Sequence, residues 1–444
     1  MKGDEPLAER PGSVALATGE PAPGTAIELW RPPGTIAPLP ERTPAAPPRW
    51  RAGVGRVTSL ARRHRFRSAL VVLLLVMSPW EASYAAAVAG PGSGSLGARS
   101  TDWVRDHGGA SLVGWVENLW YSHHSPPQGG RPPKGAIPVA APTSTVAGPT
   151  PVDHLSRPAP IPALASPPLP GEGIWHPVGR PVSGLPATYE AFLRPDAVHT
   201  SLVAGVAWMD TRLLRATLYS GSYIPGGGPW AYSAPVGADA SHYLVAAFNS
   251  GFRLKDSQGG YFSEGRMVAP LRNGAASLVI YRDGSVTVGQ WGRDAVMGPD
   301  VSAVRQNLRL IVDGGHPAPG LTSPWAWGAT LSNRVYVWRS AVGVTADGAL
   351  VYVAGPGLDA SSLANLLVRA GSVRAMELDI NTDWVNFTSY RPDAPLGPAL
   401  PSNGSLLLGQ MSGGTGRYLM PWWNRDFIAM FARSSQVPPA TRTS

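Results

Sequence analysis

The residues of this chain best suited to chemistry are two carboxylates two positions apart, Glu377 and Asp379, in the segment 373–379, VRAMELD. On an extended strand alternate side chains share a face, so both carboxylates project one way while Met376 and Leu378 project the other. Like charges side by side are unfavourable unless a cation, a ligand or a shared proton compensates. Such a pair at a strand end suits acid–base or nucleophilic work of the kind done on a glycosidic bond. The plainer reading is that one of the two ion-pairs with an arginine and serves the fold. Arg339, just ahead of Ser340-Ala341-Val342-Gly343, brings a guanidinium whose fork matches phosphate oxygens, or is an ordinary exposed strand arginine. Asn249 ends the apolar run 244–248 at a Ser250-Gly251-Phe252 turn. An Asn there bonds a sugar hydroxyl, orients a carboxylate, or closes an Asx-type turn. Asp313-Gly314-Gly315-His316 follows another apolar run; it is a turn that also offers a third carboxylate and an imidazole titrating near neutrality.

Strands are needed to hold these residues. Residues 202–208 and 213–219 alternate like strands around Asp210-Thr211. Residues 277–281 and 285–288 flank Arg282-Asp283-Gly284, and 336–344 and 349–353 flank Asp347-Gly348, two hairpin signals. Residues 358–370 read as a helix, with Asp359 as N-cap, Leu363, Leu366 and Leu367 as the apolar face and Gly371 as the stop. A strand follows over 373–378, and 427–431 closes the domain. Many strands and few helices predict an α+β fold, a single mixed-sheet domain over 193–433.

The Asn-Ser-Gly-Phe turn, the segment 338–348 (WRSAVGVTADG) with 349–353 (ALVYV), the helix 359–371 (DASSLANLLVRAG) and the strand 373–379 occur in an order and spacing that resembles the phosphodiester glycosidase family. The resemblance implies a hydrolase cleaving a sugar-1-phosphodiester at the anomeric carbon. It implies Asp379 as base or nucleophile with Glu377 as partner, and Arg339 on the phosphate. Asn249 would lie on the sugar, and Asp313 and His316 are carried as further substrate-binding candidates. After Leu378-Asp379 the family usually has a Gly run and Ser, where this chain reads Ile380-Asn381-Thr382-Asp383-Trp384. That departure sets a second reading beside the first, a non-catalytic envelope module binding cell-wall or exopolysaccharide glycans. No cofactor is expected. A divalent cation held by Asp313, Asp379 and Asp383 is the alternative that the carboxylates leave open, although no metal-binding spacing such as HExxH is present.

Composition narrows the rest. The chain has 444 residues, no cysteine, 15% charged residues and a formal charge of +8. Without cysteine there is no disulfide, no thiolate nucleophile and no Cys-ligated zinc. Much of the basic excess lies in 49–67, beside the apolar run 68–77 (SALVVLLLVM). It therefore reads as a membrane-orientation signal rather than a nucleic-acid surface, and no nucleic-acid partner is expected. Residues 1–67 read as a disordered basic cytoplasmic tail, and 68–90 as a transmembrane signal-anchor or an export signal. Residues 91–124 read as an amphipathic helical segment, 125–192 as a Pro-rich linker and 434–444 as a flexible tail. The expected location is a single-pass membrane protein with its C-terminal domain outside the cytoplasm, or a secreted one. The expected partners are a glycosyl phosphodiester or cell-envelope glycan, and the membrane through the N-terminal helix.

Overall fold

The computed structural model describes residues 78–89, 96–104, 107, 126–139, 153–222, 224–323, 327–328, 336–421 and 425–433. All of them fall within the compact unit Leu75–Ser444. The expected tails at 1–67 and 434–444, residues 68–77 of the expected span, most of the segment 105–125 and residues 140–152 lie outside the described residues.

Two helical stretches stand at the N-terminal side, 78–89 and Leu96–Val104. An aromatic cluster staples them: Trp103 packs edge-on to Trp80 and Tyr84 and stacks on His107 at 4.3 Å. No helix among the described residues is long and apolar enough to cross a membrane.

Among the described residues the rest is mainly β structure, in three sheets. The largest runs, strand by strand, His176–Val178, Thr188–Leu193, Ala204–Met209, Leu350–Leu358, Val337–Thr345, Ser372–Glu377, Leu310–Asp313 and His316–Pro317. A second sheet orders Arg266–Ala269, Tyr261–Ser263, Val301–Gln306, Ala276–Tyr281 and Val286–Gln290. A third orders Gly404–Leu406, Phe387–Tyr390, Leu244–Asn249, Phe427–Ala432 and Leu214–Tyr219. The result is mostly sheet with few helices, as expected. Among the described residues, however, the strands of these sheets pair antiparallel, and two isolated bridges are parallel. Both predicted hairpins form, Ala276–Tyr281 with Val286–Gln290 and Val337–Thr345 with Leu350–Leu358.

The large sheet is covered on both faces, which is why its central strands are apolar throughout rather than alternating. On one face lies the helix Ala360–Arg369, which buries Leu363, Leu366 and Leu367 against Ala341, Val351, Val353 and Ala375. Each fully buried Leu contributes about 1.5–3 kcal/mol. Asp359 caps that helix by accepting from the Ser362 amide at 2.6 Å, and Gly371 ends it at φ +89°. The other face, with Val342, Val344, Tyr352 and Met376, shares a core with Phe248, Ile280, Phe387 and Ile428 of the smaller sheets.

The Pro-rich linker needs correction. Residues 153–192 belong to the domain, and two of their strands extend the large sheet. Leu155, Ile161 and Trp175 sit in the helix-side core. Arg194 binds Glu172 in a buried ion pair at 2.8 Å and donates to the carbonyls of Ala165 and Pro167. Residues 126–139 also dock, the Gly129 amide donating to Val198 and Ala136 and Ile137 packing on the core. Proline richness gave no sign that residues 153–192 are pinned by long-range contacts.

Candidate active site

Six strand ends meet at one end of the domain. Strand Ser372–Glu377 delivers Glu377 and then Asp379, and strand Leu244–Asn249 delivers Asn249 and then Ser250. Strand Val337–Thr345 starts beside them with Arg339 and Ser340, while Phe427–Ala432 is preceded by Arg425 and Asp426. Phe387–Tyr390 is preceded by Trp384 and Asn386, and Val301–Gln306 carries Arg305 before Asn307.

Alternation places Glu377 as expected. Met376 and Leu378 enter the inter-sheet core while Ala375 faces the helix, so Glu377 turns to the helix side, where Arg339 also points. The Arg339 Nη1 to Glu377 Oε1 distance is 2.5 Å, with neither residue more than 3% exposed. Arg339 further donates from Nε to the Leu358 carbonyl at 2.9 Å and from Nη1 to the Trp327 carbonyl at 3.0 Å. Glu377 Oε2 is buried with no hydrogen-bond partner. Burial pushes the Glu377 carboxyl above the ordinary carboxylate range; Arg339 pulls it back and the nearby Asp379 pushes it up further.

Asp379 pairs with a different arginine. Its Oδ2 lies 3.0 Å from Arg425 Nη1, and its Oδ1 accepts from the Asn381 amide at 2.9 Å. Arg425 lies over the Trp384 ring, its guanidinium carbon 3.8 Å from the centroid, and Arg417 approaches the same ring at 5.6 Å. Burial is the main cause that lowers Arg417 to about 10; the charge of Arg425 adds to it, and Asp383 opposes it. A third pair, Arg305 Nε to Asp426 Oδ2 at 2.7 Å, is also wholly buried, and Ser250 donates to the same carboxylate oxygen. Asn307 donates to the carbonyls of Glu377 and Leu378, fixing the strand end that carries both carboxylates.

The structure therefore brings together Glu377, Asp379, Arg339 and Asn249, with changed roles for two of them. Arg339, read as the phosphate ligand, is committed to Glu377 and two carbonyls. Asn249, read as a sugar contact or an Asx turn, instead ties three strands together. Its Nδ2 donates to Ser340 Oγ at 3.0 Å, and its Oδ1 accepts from Tyr352 Oη at 2.9 Å and from the Asn386 amide at 3.2 Å. Asp313 and His316 do not join the cluster. Their strand runs antiparallel to Ser372–Glu377, with Leu310 opposite Met376 and the Gly315 amide on the Val373 carbonyl. At about 3.3 Å per residue, the turn between them lies roughly 13 Å from Glu377 along the sheet. Asp313 is spent there on a two-pronged pair with Arg293, at 2.8 Å for each contact, and His316 is exposed. A cation shared by Asp313, Asp379 and Asp383 is excluded by the same separation. Among the described residues no cluster of three metal-ligating side chains occurs.

Sequence reasoning missed Arg425, Arg417, Arg305, Asp426 and Asn307. Two signals were available: Arg305 directly follows the apolar pair Ala303-Val304 in its strand, and Arg425-Asp426 sits directly ahead of the closing strand. Ile380, standing where the resemblance leads one to expect glycine, has its side chain against Gly328, a position at φ +88° with space for no Cβ.

The fold and cluster define a β-rich domain with a buried carboxylate–arginine centre at converging strand ends. Residues 242–379 match the model of the phosphodiester glycosidase family. The catalytic domain of zebrafish N-acetylglucosamine-1-phosphodiester alpha-N-acetylglucosaminidase, auto-inhibited by its pro-peptide, is a distant structural neighbour. It shares 15% identity over 58% of this chain and 87% of that one, with a TM-score of 0.37. A Burkholderia pseudomallei K96243 protein described as exported shares 11% identity over 52% of this chain and 74% of that one, with a TM-score of 0.22. No curated protein sequence matches the chain.

Proposed function

We infer that this domain hydrolyses a glycosyl phosphodiester at the anomeric carbon. The observation that carries the reading is the pair of buried carboxylates at the end of one strand, Glu377 and Asp379, each held by its own arginine. In the proposed step Asp379 takes a proton from water as the water oxygen bonds to C1. The C1–O bond breaks and the phosphate monoester leaves with the electron pair, so a good leaving group needs little acid help. Arginine charge at the site favours the developing phosphate anion. Glu377, biased by burial toward its neutral form, limits the repulsion that a second full negative charge would bring. Asp379 is 2% exposed and Arg425 6%, so productive binding requires the side chains packed over them to part.

The substrate proposed is an envelope glycan phosphodiester. The chain is proposed to be membrane-tethered or exported, a reading that rests on the basic flank and apolar run at 62–77. The rival reading, a glycan-binding module without turnover, is favoured by the internal commitment of Arg339 and Asn249. The test is release of sugar from an alpha-N-acetylglucosaminyl phosphodiester by the full chain, because residues 153–192 are part of the fold. Release that disappears in Asp379→Asn supports hydrolysis; no release from the wild type across several sugar phosphodiesters refutes it.

A further inference from the structure

We propose that Arg425 is the cation that receives the substrate phosphate, and that it does so by exchanging anions, leaving Asp379 for the incoming group. The part played in turnover rests on the hydrolase reading above; the anion exchange itself can be tested without turnover.

Three observations carry it. Arg339 is fixed by Glu377 and two carbonyls, so turning it to a ligand would break three interactions and strand a buried carboxylate. Arg425 lies over the Trp384 ring, its guanidinium carbon 3.8 Å from the centroid. Stacking on an indole supports the guanidinium plane whichever anion its edge donors hold, so one anion can replace another without loss of the platform. Finally, the buried charges at this end of the fold lean positive. Four buried guanidiniums, those of Arg305, Arg339, Arg417 and Arg425, face three buried carboxylates, those of Glu377, Asp379 and Asp426, with Asp383 half-buried beside them. Such a centre accepts one more anion.

The exchange also prepares the base. With Arg425 on Oδ2, the Asp379 charge is stabilised and the carboxylate is a weak base. Once the guanidinium moves to a phosphate oxygen, Asp379 keeps the Asn381 amide on Oδ1 and becomes better able to take the proton from water. Arg425, Trp384 and Arg417 all lie beyond the family-matched segment 242–379.

The experiment is calorimetric titration of the full chain with inorganic phosphate at low salt, with thermal unfolding midpoints as a check on folding. The two partners of one ion pair should act in opposite directions. Asp379→Asn, which removes the competing anion, is expected to tighten phosphate binding about tenfold, and Arg425→Gln to weaken it by about tenfold or more. Arg425→Lys, which keeps the charge and loses the fork, should fall between and covers the case in which Arg425→Gln does not fold. Equal-direction changes in Asp379→Asn and the folded Arg425 variant, no change in either, or no phosphate binding by the wild type would each overturn the proposal. Opposite shifts without sugar release from any phosphodiester would uphold the exchange and reject the hydrolase reading.

Discussion

Glu190 gives the sharpest physical prediction, away from the site. It stands in the strand Thr188–Leu193 directly opposite His176, and its side chain enters the core between the sheets, wholly buried. Its hydrogen bond from Ser389 Oγ, on the facing sheet, is long at 3.5 Å. Thr188 Oγ1 and His176 Nε2, on neighbouring positions of the same two strands, are buried without a partner. Burial pushes the Glu190 carboxyl up to about 8 from 4.5, and Ser389 only partly opposes this. The folded-state value is raised, so the stability tied to this group is fully present below the unfolded value and is lost as pH rises toward the folded one. Between about pH 4.5 and 8 the unfolded chain has released a proton that the folded chain keeps, and stability falls by about 1.4 kcal/mol per pH unit. Over the whole window the loss is roughly 4–5 kcal/mol, a large fraction of a typical domain's stability. Glu190→Gln keeps the shape and removes the titration. Urea unfolding followed by tryptophan fluorescence at pH 5, 6, 7 and 8 should show the variant gaining on the wild type steadily with pH. His176, which burial lowers and which the Pro138 carbonyl and Arg157 also influence, is common to both proteins and drops out of the difference. Two curves that stay parallel across that range would refute the reasoning, whatever their offset.

Other outcomes follow from the same structure. Arg194→Ala leaves Glu172 buried without its partner and should cost about 3–5 kcal/mol, read as a lower urea midpoint; a loss under 1 kcal/mol would mean that 153–173 is not part of the folding unit. Gly173→Ala puts a Cβ 1.9 Å from the Ile161 carbonyl oxygen at φ +73° and should lower the melting temperature sharply, whereas Gly184→Ala, at φ +80° with open space around it, should lower it much less. Asp359→Ala removes the cap of the Ala360–Arg369 helix and should cost about 1 kcal/mol with sugar release unchanged. Tyr352→Phe deletes the hydroxyl that bonds Asn249 and should cost about 1–2 kcal/mol; a selective rise in KM without loss of stability would return Asn249 to a substrate role.

Much of the fold was readable because it depends on local patterning. The hairpins at Asp283-Gly284 and Asp347-Gly348, the capped helix after Asp359 and the apolar closing strand each follow from turn chemistry, capping and periodicity over ten residues or fewer. The shared direction of Glu377 and Ala375, opposite to Met376, follows from the two-residue period of a strand. Pairing partners lie outside such reach. That Glu377 meets Arg339 while Asp379 meets Arg425, that Asn249 joins three strands rather than facing a ligand, and that Asp313 lies toward the other end of the neighbouring strand depend on register between strands dozens of residues apart. The same holds for residues 153–192, whose proline-rich composition is that of a spacer but whose Trp175 and Glu172 are buried by the sheet they join. Sequence alone determined which residues carry charge and which faces they take; the three-dimensional packing decided which charges are buried together, because the cost of burying a charge forces each one to find a partner wherever the chain brings it.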